Sequence, residues 1–229
     1  MRAPRNSQLA FLTVCGAVGM GQLITQGNSD ALKVLRAAAS DSRWRVREGV
    51  AMGLQRLGDT DIESLLSEMK RWSPGNFLEM RVAAAFLCEP RLLKQTERAK
   101  ETLIIVDRIT TSISSTKNRN TDAFKALRKS MGYCWSVAVA ASPDVGMSMI
   151  EQWLSTKDKD IRWIMREDLK KKRLERINAA WVQNCRVGSK ATNFDRYERR
   201  RIFGAVRRSV GSPSFYAVYV FLAYYRPTG

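Results

Sequence analysis

Residues 41–58 read Asp-Ser-Arg-Trp-Arg-Val-Arg-Glu-Gly-Val-Ala-Met-Gly-Leu-Gln-Arg-Leu-Gly, and this stretch decides the fold class. Apolar residues recur in it at helical spacing and form one stripe: Val46, Val50, Leu54 and Leu57. Asp41 or Ser42 can cap such a helix, because their side-chain oxygens accept hydrogen bonds from the free N–H groups of a first turn. Gly58 is expected to end the helix, since glycine tolerates the left-handed conformation common at helix ends. The stretch therefore predicts an amphipathic helix.

The same pattern occurs again later in the chain. Residues 43–50, Arg-Trp-Arg-Val-Arg-Glu-Gly-Val, align with residues 162–169, Arg-Trp-Ile-Met-Arg-Glu-Asp-Leu. In each copy an aspartate precedes the second arginine by six residues, and the two pairs are Asp41 with Arg47 and Asp160 with Arg166. The two copies predict that one helix type is used at least twice.

Further arginines of this type stand between the two copies. They are Arg81 and, with a weaker apolar context, Arg128, so the successive intervals from Arg47 to Arg166 are 34, 47 and 38 residues. A two-helix unit that recurs at about this period is the sequence signature of an α-solenoid. Each such unit is too small to bury its own apolar face and is stabilised by stacking on its neighbours.

The aspartate-to-arginine spacing within an apolar second helix resembles the HEAT repeat, over roughly residues 25–180. The resemblance implies an all-α, right-handed α-solenoid of four to five two-helix repeats. It also implies a structural ladder along the inner helices, formed by Asp41, Arg47, Asp160 and Arg166. The middle repeats depart from the pattern, because Gly75 stands where Arg81 would need an aspartate. HEAT repeats mostly build binding surfaces, so the resemblance predicts a fold and leaves the chemistry open.

Composition agrees with a helical, folded chain. Of the 229 residues, 45% are hydrophobic, which is enough to bury a core, and disorder of the whole chain is therefore not expected. The chain contains only 14 glycines and 6 prolines, so long helices can run without interruption. An all-β fold with many tight turns is disfavoured for the same reason.

The charge balance is strongly basic. There are 39 Lys and Arg against 22 Asp and Glu, a net charge of +17. Such a charge attracts polyanions such as nucleic acid or an anionic membrane surface, although it can also serve solubility alone. The predicted partners are a protein, a nucleic-acid backbone or both, reached through a basic face.

Metal and cofactor chemistry is not expected. The chain has no histidine, which removes the commonest general base and the commonest metal ligand. Its four cysteines lie far apart and form no Cys-x-x-Cys pair, so the sequence predicts buried free thiols and no metal site. The low cysteine density fits a reducing cytoplasm. No cofactor is predicted.

Two clusters combine cations with aromatic residues. Trp44 and Trp163 are flanked by arginines and could stack on bases, or they could seal the packing between repeats. The run from Lys170 to Arg173 would wrap around one helical turn and could contact phosphates, or it could form a solvated face. The candidate contact residues are Arg43, Trp44, Arg45, Arg162, Trp163, Lys170, Lys171, Lys172 and Arg173.

One group of enzymes built on HEAT-like repeats, the DNA glycosylases that remove alkylated bases, is similar in size, helix content and basicity. In that family a tryptophan and an aspartate one turn later line the cleft. Here Trp163 is followed by Glu167 four residues later and Asp168 five residues later, and Trp44 is followed by Glu48. Neither copy has the required spacing, so a non-catalytic binding module is the leading hypothesis and a glycosylase is the alternative.

The two ends of the chain differ from the repeats. Residues 9–24 are apolar with three glycines, and they fit either a loosely packed first helix that caps the array or a signal peptide. No stretch reaches the ~20 apolar residues that span a bilayer. Residues 1–186 are predicted to form the helical repeat domain. Residues 187–229 are predicted to form an extension, basic from Arg196 to Arg208 and aromatic from Phe215 to Tyr225.

Overall fold

A computed structural model describes residues 9–188 of the chain. Within this range the fold is all-helical, with no β-strand, which confirms the predicted all-α class. None of the described helices is long and apolar enough to cross a membrane. The elements are α1 (Leu9–Thr25), α2 (Ser29–Ala39), α3 (Trp44–Thr60), α4 (Ile62–Trp72), α5 (Phe77–Leu87), the 3₁₀ helix η1 (Pro90–Leu92), α6 (Thr96–Ser115), α7 (Asp122–Ala141), α8 (Pro143–Leu154), α9 (Lys159–Leu169) and α10 (Lys172–Gly188).

The chain divides into two compact units, Met1–Ala83 and Ala84–Gly229, with the division inside α5. The structure describes residues 9–83 of unit 1 and residues 84–188 of unit 2. The predicted extension at 187–229 lies outside the described residues except for its first two positions. The solenoid arrangement, the repeat count and the boundary after residue 186 stay predictions.

Helix α3 covers residues 44–58 of the stretch that decides the fold class, and it ends later than the sequence predicts. It begins at Trp44 and runs through Gly58 to Thr60, so the prediction that Gly58 ends the helix is wrong. The left-handed backbone among the described glycines occurs at Gly27, with φ of 91°, in the turn after α1. The carboxylate of Asp41 accepts the N–H of Arg43, the residue that precedes α3, at 2.8 Å.

In unit 1, α1 packs closely on α3 through glycines. A Cβ atom added to Gly21 would lie 2.4 Å from the carbonyl oxygen of Gly53, and one added to Gly49 would lie 2.9 Å from that of Val14. Only glycine permits this approach of two backbones. The apolar helix α1 is therefore in tight contact with its neighbour, where loose packing was expected. The rest of the core includes Leu35, Val50, Leu54 and Leu65 together with the fully buried ring of Trp72.

In unit 2, the core lies between α6, α7 and α9. Trp135 and Phe124 on α7 are buried, and the indole N–H of Trp135 donates to the hydroxyl of Thr110 at 3.0 Å. Two helices of this unit are bent. Gly132 has a ψ of 15° and bends α7, and Asn178 has an extended backbone and interrupts α10. The Asn178 side chain then caps the following segment, because its amide oxygen accepts the N–H of Trp181 at 2.9 Å.

Candidate functional site

A chain of ion pairs leads from the start of α9 to the middle of α7. The Asp158 carboxylate caps α9 by accepting the N–H groups of Asp160 and Ile161 at 2.9 and 3.2 Å. Arg119, in the loop before α7, reaches both oxygens of Asp158 at 2.8 and 2.6 Å and Oδ2 of Asp160 at 2.9 Å. Nε of Arg128 lies 3.0 Å from Oδ1 of Asp160, an ion pair whose angle falls outside hydrogen-bond geometry.

The protonation states of this chain follow from its contacts. Burial raises the pKa of Asp158, but hydrogen bonds from Arg119 and from two backbone N–H groups outweigh burial and lower that pKa overall. The hydrogen bond to Asp158 is the largest cause of a raised pKa for the Arg119 guanidinium. Asp158 and Arg119 are therefore charged at neutral pH, and their ion pair holds the start of α9 against the α6–α7 loop.

This geometry bears on the predicted ladder. Asp160 pairs with Arg119 and with Arg128 of the neighbouring helix α7. Arg166 is exposed on α9. In unit 1, Arg47 donates to the backbone carbonyl of Asp41 at 2.5 Å. Asp160 of α9 thus pairs with a loop residue and with a residue of α7, whereas the ladder and the pairing of Asp160 with Arg166 stay predictions.

Trp163 lies in the contact between α7 and α9. The guanidinium carbon of Arg128 lies 4.0 Å from the centre of the indole ring, which is the geometry of a cation–π interaction. The edge of the ring faces Gly132, where an added Cβ atom would lie 3.3 Å from Cζ3. Glu167, one turn later, also packs on Gly132. Trp163 therefore has a packing role in the structure.

Asp168 is fully buried and bonds to the bend in α7. Its Oδ1 accepts the N–H of Ser136 at 2.7 Å, and Oδ2 has no partner. In a regular helix the acceptor for Ser136 would be the carbonyl of Gly132, the residue whose ψ departs from helical values. The carboxyl oxygen thus satisfies the N–H group at the bend. Burial raises the pKa of Asp168 well above its ordinary value, and the Ser136 N–H and the charge of Lys171 only partly oppose this.

Tyr133, one residue after the bend, is covered by two cations. Arg173 donates to the phenol oxygen at 2.7 Å, and its guanidinium carbon lies 4.5 Å from the ring centre. Nζ of Lys171 lies 5.8 Å from the same centre. Burial raises the pKa of Tyr133, so the phenol stays neutral. Two members of the basic run therefore attach the start of α10 to α7.

The basic run itself does not form one helical turn, contrary to the sequence-based expectation. Lys170 follows the last residue of α9, Lys171 lies in the turn, and Lys172 is the first residue of α10. The run changes direction at this turn, so its side chains separate into two groups. Lys171 and Arg173 pack on Tyr133, whereas Lys170 and Lys172 are exposed.

Four exposed cations surround this turn, and we refer to them as the basic corner: Arg166, Lys170, Lys172 and Arg176. Residues 159–176 contain eight Lys and Arg and four Asp and Glu. Each of the four acidic side chains is paired or buried. Asp160 pairs with two arginines, Glu167 pairs with Lys170, Glu175 pairs with Arg186 at 2.7 Å, and Asp168 is buried.

The other predicted cluster, around Trp44 in unit 1, is partly buried. Arg43 is only 7% exposed, and it binds both carboxylate oxygens of Asp41 at 2.9 and 2.7 Å. Arg45 is exposed, with its guanidinium carbon 4.7 Å from the ring centre of Trp44. Trp44 is the first residue of α3, whereas Trp163 is the fifth of α9, so the two tryptophans do not lie at matching positions. Arg162 is half-buried on α9.

Sequence reasoning missed several residues of this site. Asp158 could have been found, because an aspartate just before an apolar helix is a preferred cap. Arg119 stands in a polar loop rich in Ser, Thr and Asn and gave no signal. Gly132 and Tyr133 were also missed, because a helical stripe does not show where a helix bends.

The described residues contain no group of three or more acidic or cysteine side chains that could hold a metal ion. Comparison of the chain with protein-family models, with curated proteins and with solved structures finds no match.

Proposed function

We propose that this chain is a non-catalytic helical binding module of HEAT-repeat type, whose basic corner contacts the phosphate backbone of nucleic acid. The observation that carries the proposal is the distribution of charge around the turn between α9 and α10. Each acidic side chain of this segment is buried or in an ion pair, Glu167 with Lys170 of the corner itself, and the exposed side chains of the segment are cationic. Exposed Lys and Arg are the groups that bind phosphate without regard to sequence.

The basic corner is held by the rest of unit 2. Arg173 and Lys171 attach the start of α10 to Tyr133, and Glu175 binds Arg186 within α10. Their contacts fix the turn that carries Lys170 and Lys172. Cations on a fixed turn lose less conformational entropy on binding than cations on a flexible segment, which favours affinity.

The carboxylates beside Trp163 support a binding role over catalysis. Base excision needs a carboxylate that faces the bound base. Asp168 instead faces the backbone of α7 and is fully buried, and Glu167 packs on Gly132 and pairs with Lys170. We find no observation in the described residues that favours the glycosylase alternative.

The test is binding of a labelled random-sequence DNA duplex to the full chain, by fluorescence anisotropy at several salt concentrations. The Lys172→Ala/Arg176→Ala variant removes two exposed charges of the basic corner. If each charge neutralises one phosphate, the slope of log K against log salt becomes shallower by about 0.9 per charge removed. We also expect affinity at low salt to fall by a similar factor on duplexes of different sequence, as is typical when phosphate contacts are removed.

A matched control removes the same charge elsewhere. Lys33 and Lys70 are exposed on α2 and α4, so Lys33→Ala/Lys70→Ala carries the same net charge as the corner variant. This control should bind as the unmodified chain does. Equal losses in both variants would show a general charge effect, and absence of duplex binding would overturn the proposal in favour of an acidic protein partner.

A further inference from the structure

We infer that the basic corner recognises double-stranded nucleic acid through phosphates alone and makes no stacking contact with bases, an inference that rests on the proposed function. Proteins that bind single strands combine cations with open aromatic rings on which bases stack. The described part of unit 2 contains seven aromatic side chains: Phe86, Phe124, Tyr133, Trp135, Trp153, Trp163 and Trp181. None of them is exposed.

The two rings nearest the basic run are already occupied by the protein's own groups. Trp163 has Arg128 stacked on it at 4.0 Å and Gly132 against its edge. Tyr133 has Arg173 at 4.5 Å and Lys171 at 5.8 Å from its ring centre. A base that stacked on the covered face of either ring would have to displace the cation bound there.

The other tryptophans in the described part of unit 2 also form hydrogen bonds within the protein. Trp135 is fully buried, with its N–H on Thr110. The indole N–H groups of Trp153 and Trp181 donate to Asp107 and Glu151, each at 2.7 Å. These hydrogen bonds hold both rings against neighbouring helices.

A surface with exposed cations and no exposed aromatic ring binds the nucleic acid with the higher density of negative charge more tightly. A duplex carries one negative charge per about 1.7 Å of its axis, which is denser than a single strand, and each neutralised phosphate releases more counterion from it (about 0.9 against about 0.7). The same number of contacts therefore gives tighter binding to the duplex. Because phosphates carry no sequence information, we also expect affinity to vary little with sequence.

The experiment compares three labelled probes with similar numbers of phosphates: a 20-base-pair DNA duplex, a 20-base-pair RNA duplex and a 40-nucleotide oligo-dT strand. Each probe is titrated with the full chain and with Lys172→Ala/Arg176→Ala. The quantity of interest is the loss of affinity on each probe, so that binding by other parts of the chain cancels. We expect the loss to be several-fold larger on at least one duplex than on oligo-dT.

Trp163→Phe serves as the stacking control, because it keeps an apolar ring between Arg128 and Gly132 while reducing the stacking area. It should change affinity for every probe by less than twofold. A corner effect on oligo-dT that equals or exceeds the effect on both duplexes, or a marked loss for Trp163→Phe on oligo-dT, would overturn this inference and leave the proposed function standing. Failure of all three probes to bind would overturn the proposed function itself.

Discussion

The contact between α1 and α3 in unit 1 and the contact between α7 and α9 in unit 2 use opposite means to join two helices. Between α1 and α3, Gly21, Gly49 and Gly53 bring two backbones together with almost no side chain in between. The contact between α7 and α9 contains one glycine, Gly132, and the Trp163 ring packs against it. The buried side chains of α9 include Asp160 and Asp168 besides apolar residues such as Ile164. The first contact depends on volume, whereas the second adds ion pairs and hydrogen bonds to the burial of apolar side chains.

The exposed side chains beside the two contacts differ in the same way: they include large apolar groups beside the first contact and cations beside the second. On α1 the exposed side chains include Phe11 and Leu12, each 66% exposed. Around the end of α9 the exposed side chains are the cations of the basic corner. The polar contact also fixes the helix that ends at this corner, through the ion pairs of Asp158 and Asp160. Substitutions should therefore affect the two contacts differently.

The largest expected effect comes from adding one methyl group to the α1–α3 contact. In Gly21→Ala the new Cβ would lie 2.4 and 2.5 Å from backbone atoms of Gly53, and backbone cannot rotate away as a side chain can. We expect a loss of about 1–3 kcal/mol in the free energy of unfolding, the range for overpacked cores. Urea unfolding followed by circular dichroism measures it.

Gly16→Ala is the matched control for this prediction. Gly16 lies on the same helix, but its added Cβ would have no neighbour within 4 Å. Alanine has a higher helix propensity than glycine, so this variant should gain about 0.5–1 kcal/mol. If Gly21→Ala were as stable as Gly16→Ala, α1 would not pack on α3 as described.

Much of the helical framework could be predicted from sequence, because apolar residues on one face of a helix recur with a regular period. The stripe in residues 41–58 gave α3, and the fold class followed from it. The end of α3 was misplaced because glycine can also occur inside a helix, and Gly58 does so beside Leu65 of α4. Helix ends depend on local hydrogen bonds that a stripe does not report.

The candidate site was less accessible to sequence reasoning. The run from Lys170 to Arg173 was found, because four adjacent cations are visible in any sequence. Its division between two helices was not found, since no glycine or proline marks the turn. The ion pair of Arg119 with Asp158 joins residues 39 positions apart, and only the packing of unit 2 brings them together. Such contacts leave no periodic signal.

An intermediate effect is expected at the buried carboxyl of the α7–α9 contact. Asp168→Ala removes the acceptor of the Ser136 N–H and leaves that donor buried without a partner. Loss of a buried partner costs about 1–3 kcal/mol, so we expect the free energy of unfolding to fall by this amount. Asp168→Asn keeps an acceptor oxygen and should stay within about 1 kcal/mol of the unmodified chain. Equal losses in the two variants would contradict a hydrogen-bonding role for Asp168.

The last expected effect is a dependence of the free energy of unfolding on pH, which arises in the α7–α9 contact. Burial raises the pKa of Asp168 above its ordinary 3.8. As the pH rises above that value, the unfolded chain releases this proton and the folded chain retains it. The unfolded state then binds fewer protons, so the contribution of Asp168 lowers stability until the pH passes its raised pKa. Asp168→Asn should remove this decline.

Asp158 gives the opposite sign within the same contact, because hydrogen bonds lower its pKa in the folded chain below the ordinary 3.8. Its contribution is present above that value and is lost as the pH falls through the lowered pKa. Urea unfolding of the unmodified chain, Asp168→Asn and Asp158→Asn across pH 3–8 separates the two terms. Asp168→Asn should become relatively more stable toward high pH, and Asp158→Asn should lose its disadvantage toward low pH. Gly21→Ala keeps both carboxyl groups, so its stability should follow the pH dependence of the unmodified chain with a constant loss that comes from volume. A loss that changed with pH in that variant would mean that the two contacts are not distinct in kind.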